Sequence, residues 1–98
     1  MTQSFISQAA LQDLDEIFDY FAGINIEAGE NFVNEFKKKC QYLAQFPKLG
    51  RSYGEIRPNL RGVPLMNYVI LYQVIDGGVE IVRVISAYRD LRSIFRED

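Results

Sequence analysis

Residues Arg61 to Asp90 read RGVPLMNYVILYQVIDGGVEIVRVISAYRD, and this stretch decides the fold. Tyr68 to Ile75 is a nearly unbroken β-prone apolar run. Asp76, Gly77 and Gly78 supply the positive-φ positions of a hairpin turn, and Val79 to Ile85 resumes the β pattern. A two-residue turn at either Asp76-Gly77 or Gly77-Gly78 gives the same pairing parity. It puts Ile70, Tyr72 and Val74 on one face with Val79, Ile81, Arg83 and Ile85, and Val69, Leu71, Ile75, Val82 and Val84 on the other. Both faces are largely apolar, so one needs a layer of helix. The other needs cover from a loop, the C-terminus or a partner protein.

Upstream, Leu60 to Leu65 begins the sheet, and Pro64, which has no N–H to donate, marks it as an edge or a strand end. The segment KLGRSYGEIRPN from Lys48 to Asn59 reads as a loop with one edge strand around Ile56. Before it, Gln3 to Ile6 suits a short strand, and Ser7 an N-cap. Ala10, Leu11, Leu14, Ile17, Phe18 and Phe21 recur at helical spacing, with Gly23 as a left-handed stop. Asn25 caps a second helix whose buried face is Phe32, Val33, Phe36, Cys40, Leu43 and Phe46, ended by Pro47. Gly29 lies in its first turns and predicts fraying there. After the hairpin, Asp90 caps a last short helix over Leu91 to Arg96. The expected class is α+β: an N-terminal strand, an antiparallel helical hairpin packed on a twisted antiparallel sheet of about four strands, and a short C-terminal helix.

Composition bounds the function. Ninety-eight residues, 48% of them hydrophobic, suit one domain spanning 1–98 that buries roughly two-thirds of its unfolded surface. Eleven basic against thirteen acidic residues leave a net charge of -2, which gives no general drive toward phosphate backbones. No apolar run approaches the roughly 20 residues that span a bilayer, and no signal segment opens the chain, so a soluble, cytoplasmic protein is expected. Cys40 is the single cysteine and histidine is absent. That excludes an internal disulfide, and the expectation is no metal and no cofactor. Cys40 on an apolar helix face reads as an inert thiol. Asp13, Asp15, Glu16 and Asp19 read as a solvated helix face.

The cations of the hairpin are the candidates for function. Arg83 is flanked by Ile81, Val82, Val84 and Ile85. It therefore lies at a strand end, pairs with an acid such as Glu55, or faces an anionic ligand, the ion pair being the leading reading. Arg89 next to Asp90 suits a loop anchor or a phosphate contact. Tyr68, Tyr72 and Tyr88 are more readily core-finishing rings than base-stacking ones.

The order FP, LGR, LR, P, Y, I, Y, then IVRV and RDL, carried by SQAALQDLDEIFDYFA, CQYLAQFPKLGRSYGEIRPNLRGVPLMNYVILYQV and VEIVRVISAYRDLRSIF, resembles the RelE/ParE superfamily of bacterial type II toxins. The resemblance covers nearly the whole chain. It implies a helical hairpin on a twisted antiparallel sheet, a place in plasmid-stabilising toxin–antitoxin systems, and a cognate antitoxin that wraps the toxin. RelE-like members cut mRNA on the ribosome, and need clustered cations and a proton-transfer group. The positions resembling theirs hold no lysine before the central strand, Val69 early in it, Arg89 after the last strand and Phe95 near the C-terminus. Only Arg89 matches. ParE-like members poison DNA gyrase through protein contact, and the GRSYGEIRPNLRGVP and VRVISAYRDL segments are similar to theirs. They commonly carry a histidine before the final Arg-Asp pair, where this chain has Ser86 and Ala87. The resemblance thus implies a ParE-like gyrase inhibitor with a ParD-like antitoxin, with no catalytic residue and with Arg61, Arg83, Tyr88, Arg89 and Phe95 as target or partner contacts. The alternatives are a RelE-like nuclease clamping phosphate with Arg83 and Arg89, and an inactive relative that only binds its antitoxin.

Overall fold

A computed structural model describes residues 3–95. Its elements in chain order are β1 (Gln3–Ile6), α1 (Gln8–Ile24), α2 (Ile26–Gln45), β2 (Arg51–Ser52), β3 (Leu60–Leu65), β4 (Tyr68–Ile75), β5 (Gly78–Ser86) and α3 (Leu91–Ile94). The five strands form one sheet in the order β1-β5-β4-β3-β2. From β2 to β5 the chain meanders antiparallel, and β1 lies parallel to β5 at the far edge. The sheet is therefore mixed rather than wholly antiparallel. The helical hairpin carries the chain from β1 across to the opposite edge, and three reversals bring β5 back beside β1 in the same direction.

Ser7 caps α1 as its sequence position suggests, its hydroxyl accepting from the Ala10 amide at 3.0 Å. Gly23 does not stop the helix. Asn25 does, in extended backbone, and its one residue closes α1 by donating its N–H to the Phe21 carbonyl while its side chain caps Ala28 of α2 at 2.7 Å. Gly29 does not fray α2 either. It is buried where the two helices cross, and a Cβ there would meet the Phe18 ring at 3.0 Å, so the absent side chain lets the helices approach.

The turn between β4 and β5 uses Asp76 and Gly77, flanked by the paired residues Ile75 and Gly78. Gly77 takes φ 83°, and a Cβ on Gly78 would strike the backbone of Gln3 in β1. Pairing follows the expected parity only as far as Tyr72 and Ile81, where the register shifts and Leu71 meets Arg83. The extra residue, Val82, is a β-bulge, and a one-residue insertion moves every following side chain to the other face. Val84 therefore joins Ile70 and Tyr72 under the helices, and Ile85 joins Leu71 on the back, the reverse of the face assignment made from an unbulged hairpin.

The main core lies between the helical hairpin and the sheet, around Phe32, Leu43, Ile70, Tyr72, Val79 and Ile81. The back of the sheet carries a second, smaller cluster in which Leu60, Val69, Leu71 and Ile85 are covered by Tyr53 and Ile56 and by Leu91, Ile94 and Phe95. The loop and the C-terminus thus supply the cover that the second apolar face requires. The edge strand before β3 is Arg51–Ser52, not the region of Ile56: the amides of Ile56 and Arg57 turn back onto the Tyr53 carbonyl, leaving Ile56 free to pack. The expected extension of the last helix to Arg96 lies outside the described residues.

Candidate functional site

The end of β5 and the turn beyond it gather most of the residues singled out from the sequence. At the bulge, the β5 edge that β1 no longer covers has its backbone groups satisfied by α1. Ser7 donates its hydroxyl to the Val82 carbonyl at 2.8 Å, and the Val84 amide donates to Asp13 Oδ2 at 3.0 Å. Arg83 reaches the same carboxylate through Nε to Oδ2 at 2.7 Å and Nη2 to Oδ1 at 2.9 Å, a two-pronged pair with side-chain exposures of 24% for Arg83 and 13% for Asp13. The hydrogen bond that Arg83 donates to Asp13 raises the guanidinium pKa against the opposing effect of burial. Arg83 is thus in an ion pair, as the leading reading held, but with Asp13 and not Glu55, which faces Arg51 at 4.0 Å.

Asp13 was hidden in a run of acids. Of the four carboxylates on α1 it alone sits on the stripe that continues from Ala10 to Ile17, three residues after the one and four before the other. That position is the signal that separates it from its solvated neighbours.

Beyond the strand, the Ala87 amide donates to the Asn67 carbonyl at 2.8 Å and the Arg89 amide to the Ser86 carbonyl at 3.1 Å, which fixes a tight turn. Tyr88 sits on that turn, 86% exposed. Arg89 borders a groove of about 300 Å³ between α1 and the strand ends, lined also by Asp13, Glu16, Tyr20, Tyr68 and Ser86. Burial, and then the neighbouring Tyr20, push the Tyr68 phenol upward, and the groove presents it beside the carboxylates of Asp13 and Glu16 and the Arg89 guanidinium.

Arg61 and Phe95 lie elsewhere. Arg61 donates Nη1 to the Gly50 carbonyl at 2.7 Å. Beside it on the facing strand, the buried Tyr72 donates to the Pro47 carbonyl at 2.7 Å and accepts from the Gly50 amide at 2.8 Å. Together they hold the loop that follows α2. Phe95 packs into the back cluster with Val69, and the Arg57 guanidinium lies 5.2 Å from its ring centre. The structure therefore brings Tyr88 and Arg89 together at a free surface and commits Arg61, Arg83 and Phe95 to contacts within the chain. Cys40 is buried, its thiol pushed up to about 12 by desolvation, which removes it as a nucleophile. No group of His, Cys, Asp and Glu able to hold a metal ion occurs among the described residues.

A second surface feature escaped the sequence reading. Phe46, counted there with the buried face of α2, is 53% exposed. It is the C-cap, with φ -127° and ψ 73°, so helical periodicity no longer governs where it points. Its ring meets that of Tyr42 edge to face at 5.2 Å.

Comparison with known proteins agrees with this architecture. A solved structure described as the chromosomal ParDE TA system from P. aeruginosa superposes with a TM-score of 0.74 at 21% identity, covering 88% of this chain and 96% of that one. Toxin RelE2 of Caulobacter vibrioides is 36% identical over 89 residues, 91% of this chain and 99% of its own. Toxin ParE1 of Mycobacterium tuberculosis is 28% identical over 88 residues, 88% of this chain and 90% of its own. The family described as ParE toxin of type II toxin-antitoxin system, parDE, matches residues 5–91, from β1 to the first residue of α3. With a match over nearly all of the described fold, the chain belongs to the family of ParE toxins of type II toxin–antitoxin systems.

Proposed function

We propose that this toxin inhibits DNA gyrase by protein–protein contact, without catalysis, and is neutralised in the cytoplasm by a cognate ParD-like antitoxin. The observation that carries this reading is the apolar filling of the surface where RNA cutting would need charge. Val69 and Phe95 stand at two positions that resemble cationic and proton-transferring ones in RelE-like nucleases, and both pack with Leu91 and Ile94 into the back cluster. Arg83, the other phosphate-clamp candidate, is neutralised by Asp13. Phosphoryl transfer needs several cations and a proton carrier at one spot. Arg89, facing the carboxylates of Asp13 and Glu16 in its groove, is one cation where several are needed.

Protein contact asks for less: an exposed amphipathic ring and a guanidinium on a rigid turn, the residue types enriched in binding hot spots. Tyr88 and Arg89 are those groups, on the turn that follows the strand end where Arg83 is pinned by Asp13, while Arg61 and Phe95 hold the loop after α2 and the back cluster. The test is a supercoiling assay with purified gyrase and relaxed plasmid. Added toxin should stop supercoiling or accumulate cleaved DNA; gyrase unaffected at large toxin excess overturns the reading. Because the 36% identical relative bears the RelE name, mRNA cleavage is the second reading. It predicts new 5′ ends on translated message by primer extension, lost in Arg89→Ala.

A further inference from the structure

The turn between β3 and β4 holds a residue that its backbone does not favour. Leu65 pairs with Tyr68, so Met66 and Asn67 alone span the reversal, and Met66 takes φ 55°. A two-residue hairpin loop needs positive φ at its first central position, and the residues that adopt it with little strain are glycine, asparagine and aspartate. A long apolar side chain there is an outlier. Among the described non-glycine residues only Asn59 shares a positive φ, at 68°, and asparagine is a type that tolerates it. At Asn59 the sequence meets the demand of the backbone; at Met66 it does not. Nor does the core account for the exception, because Met66 is 48% exposed and belongs to neither apolar cluster. A side chain kept on a disfavoured backbone without gaining burial points to a use outside the chain.

The place of the turn indicates that use. The Asn67 carbonyl accepts the Ala87 amide at 2.8 Å, and Tyr68 pairs with Ser86, so the β3–β4 turn is bonded to the turn that follows β5. Met66 and Tyr88 each stand one residue from that hydrogen bond. Ser86 fixes the second turn from within, its hydroxyl accepting from the Tyr88 amide at 3.2 Å and its carbonyl from the Arg89 amide at 3.1 Å. Two joined turns thus carry an exposed thioether, an exposed phenol and an exposed guanidinium at one end of the sheet. None of the ion pairs among the described residues engages that guanidinium. Methionine, aromatic residues and arginine are the types enriched in protein interfaces, and a thioether adapts to an irregular apolar surface.

We propose that Met66 is a target-contacting residue, seated together with Tyr88 in a shallow apolar depression of gyrase whose rim offers a carboxylate to Arg89. This rests on the reading of the chain as a gyrase inhibitor. It adds an anchor from a second turn and the chemistry of the surface that receives it. The apolar pair supplies affinity, and the unpaired guanidinium supplies orientation and association rate. A nucleic acid fits this end less well, because the carboxylates of Asp13 and Glu16 line the groove that Arg89 borders and oppose a polyanion. The disfavoured backbone at Met66 is then the cost of placing an adaptable apolar group at the tip of a rigid hairpin.

The test separates the side chain from the backbone that carries it. Met66→Gly and Met66→Asn both remove the thioether and both suit a positive φ, so each variant should melt no lower than the wild type. In a supercoiling assay with the full chain and purified gyrase, each should need about tenfold more protein for half-inhibition. Asn59→Gly, the same kind of change at the other end of β3, should inhibit as the wild type does. Full inhibition by both Met66 variants overturns the proposal while leaving the gyrase reading intact. Gyrase unaffected by the wild-type chain overturns that reading, and the proposal with it. Weaker inhibition accompanied by a lower melting midpoint in both Met66 variants also overturns it, since the side chain then serves the fold.

Discussion

Asp13 and Arg83 stand 70 positions apart and meet in a two-pronged ion pair, 2.7 Å and 2.9 Å, whose carboxylate also receives the amide of Val84. One side chain of α1 therefore fixes both the charge and the backbone of β5 at its bulge. Removing one member of such a half-buried pair strands the other. Asp13→Ala should lower unfolding free energy by about 3 kcal/mol, near the lower end for broken buried pairs. Adding Arg83→Met to it should recover part of that loss. Urea midpoints of the two single variants and the double variant check this, and additive losses would mean that the pair is not coupled.

Tyr72→Phe removes one donated and one accepted hydrogen bond from the loop after α2, which at about 1 kcal/mol each lowers stability by roughly 2 kcal/mol. The Gly50 amide should then exchange with solvent faster than in the wild type, because its acceptor is gone. Unchanged exchange there would show that the loop is held by Arg61 alone.

Stability should fall steeply in alkali. The Cys40 thiol is raised from 9.0 to about 12 by burial, and burial also raises the Tyr72 phenol despite the lowering effects of Gly50 and Arg61. Both groups keep their protons longer in the folded chain. Their stabilising effect is complete below the unfolded pKa and is lost as pH rises toward the folded one, at up to about 1.4 kcal/mol per pH unit for each group. For Cys40 the window runs from pH 9 to about 12. Cys40→Ala should flatten the pH dependence of the urea midpoint across that window, and a thiol reagent should label the wild type only at the rate at which it unfolds.

A Cβ on Gly78 would collide with the backbone of Gln3, so Gly78→Ala should detach β1 from β5. A loss above about 2 kcal/mol is expected from a forced backbone shift of this kind. The amide of Gln3, which donates to the Gly77 carbonyl at 3.0 Å, should lose its protection from hydrogen exchange. Retained protection would mean that the strand tolerates the side chain.

Tyr88→Ala and Arg89→Ala should abolish gyrase inhibition while moving the melting midpoint little, since exposed substitutions usually shift stability by within about 0.5 kcal/mol. Arg83→Ala should do the opposite in kind, lowering the melting midpoint first. If Tyr88 and Arg89 variants remain full inhibitors, the contact surface lies elsewhere.

Much of this fold was legible because its signals are local. The Asp76-Gly77 turn, the caps at Ser7, Asn25 and Asp90, and the stop before Pro47 each act within a few residues, and a sequence displays such interactions directly. What could not be read depends on distant pairings. The bulge at Val82 exists because Ser7 and Asp13, far away in the chain, satisfy the groups it leaves over. Without them the hairpin has no reason to slip, so the sequence pattern placed Val84 and Ile85 on the wrong faces. The parallel strand β1 has the same character. Among the site residues, Arg89 and Tyr88 follow from their place after the last strand. Asp13 and the exposed Phe46 needed, respectively, the core stripe of α1 and the departure of the chain from helical geometry after Gln45.

The pairing of β1 with β5 also sets the order of events at birth. Among the described residues, Gln3–Ile6 has as its only strand partner Gly78–Ile81, about 75 positions further along. Contacts of such long sequence separation form late and slowly, so the sheet closes only after β5 has been made. A nascent or prematurely ended chain that stops at the Asp76-Gly77 turn has the helical hairpin but neither the bulge nor the turn carrying Tyr88 and Arg89.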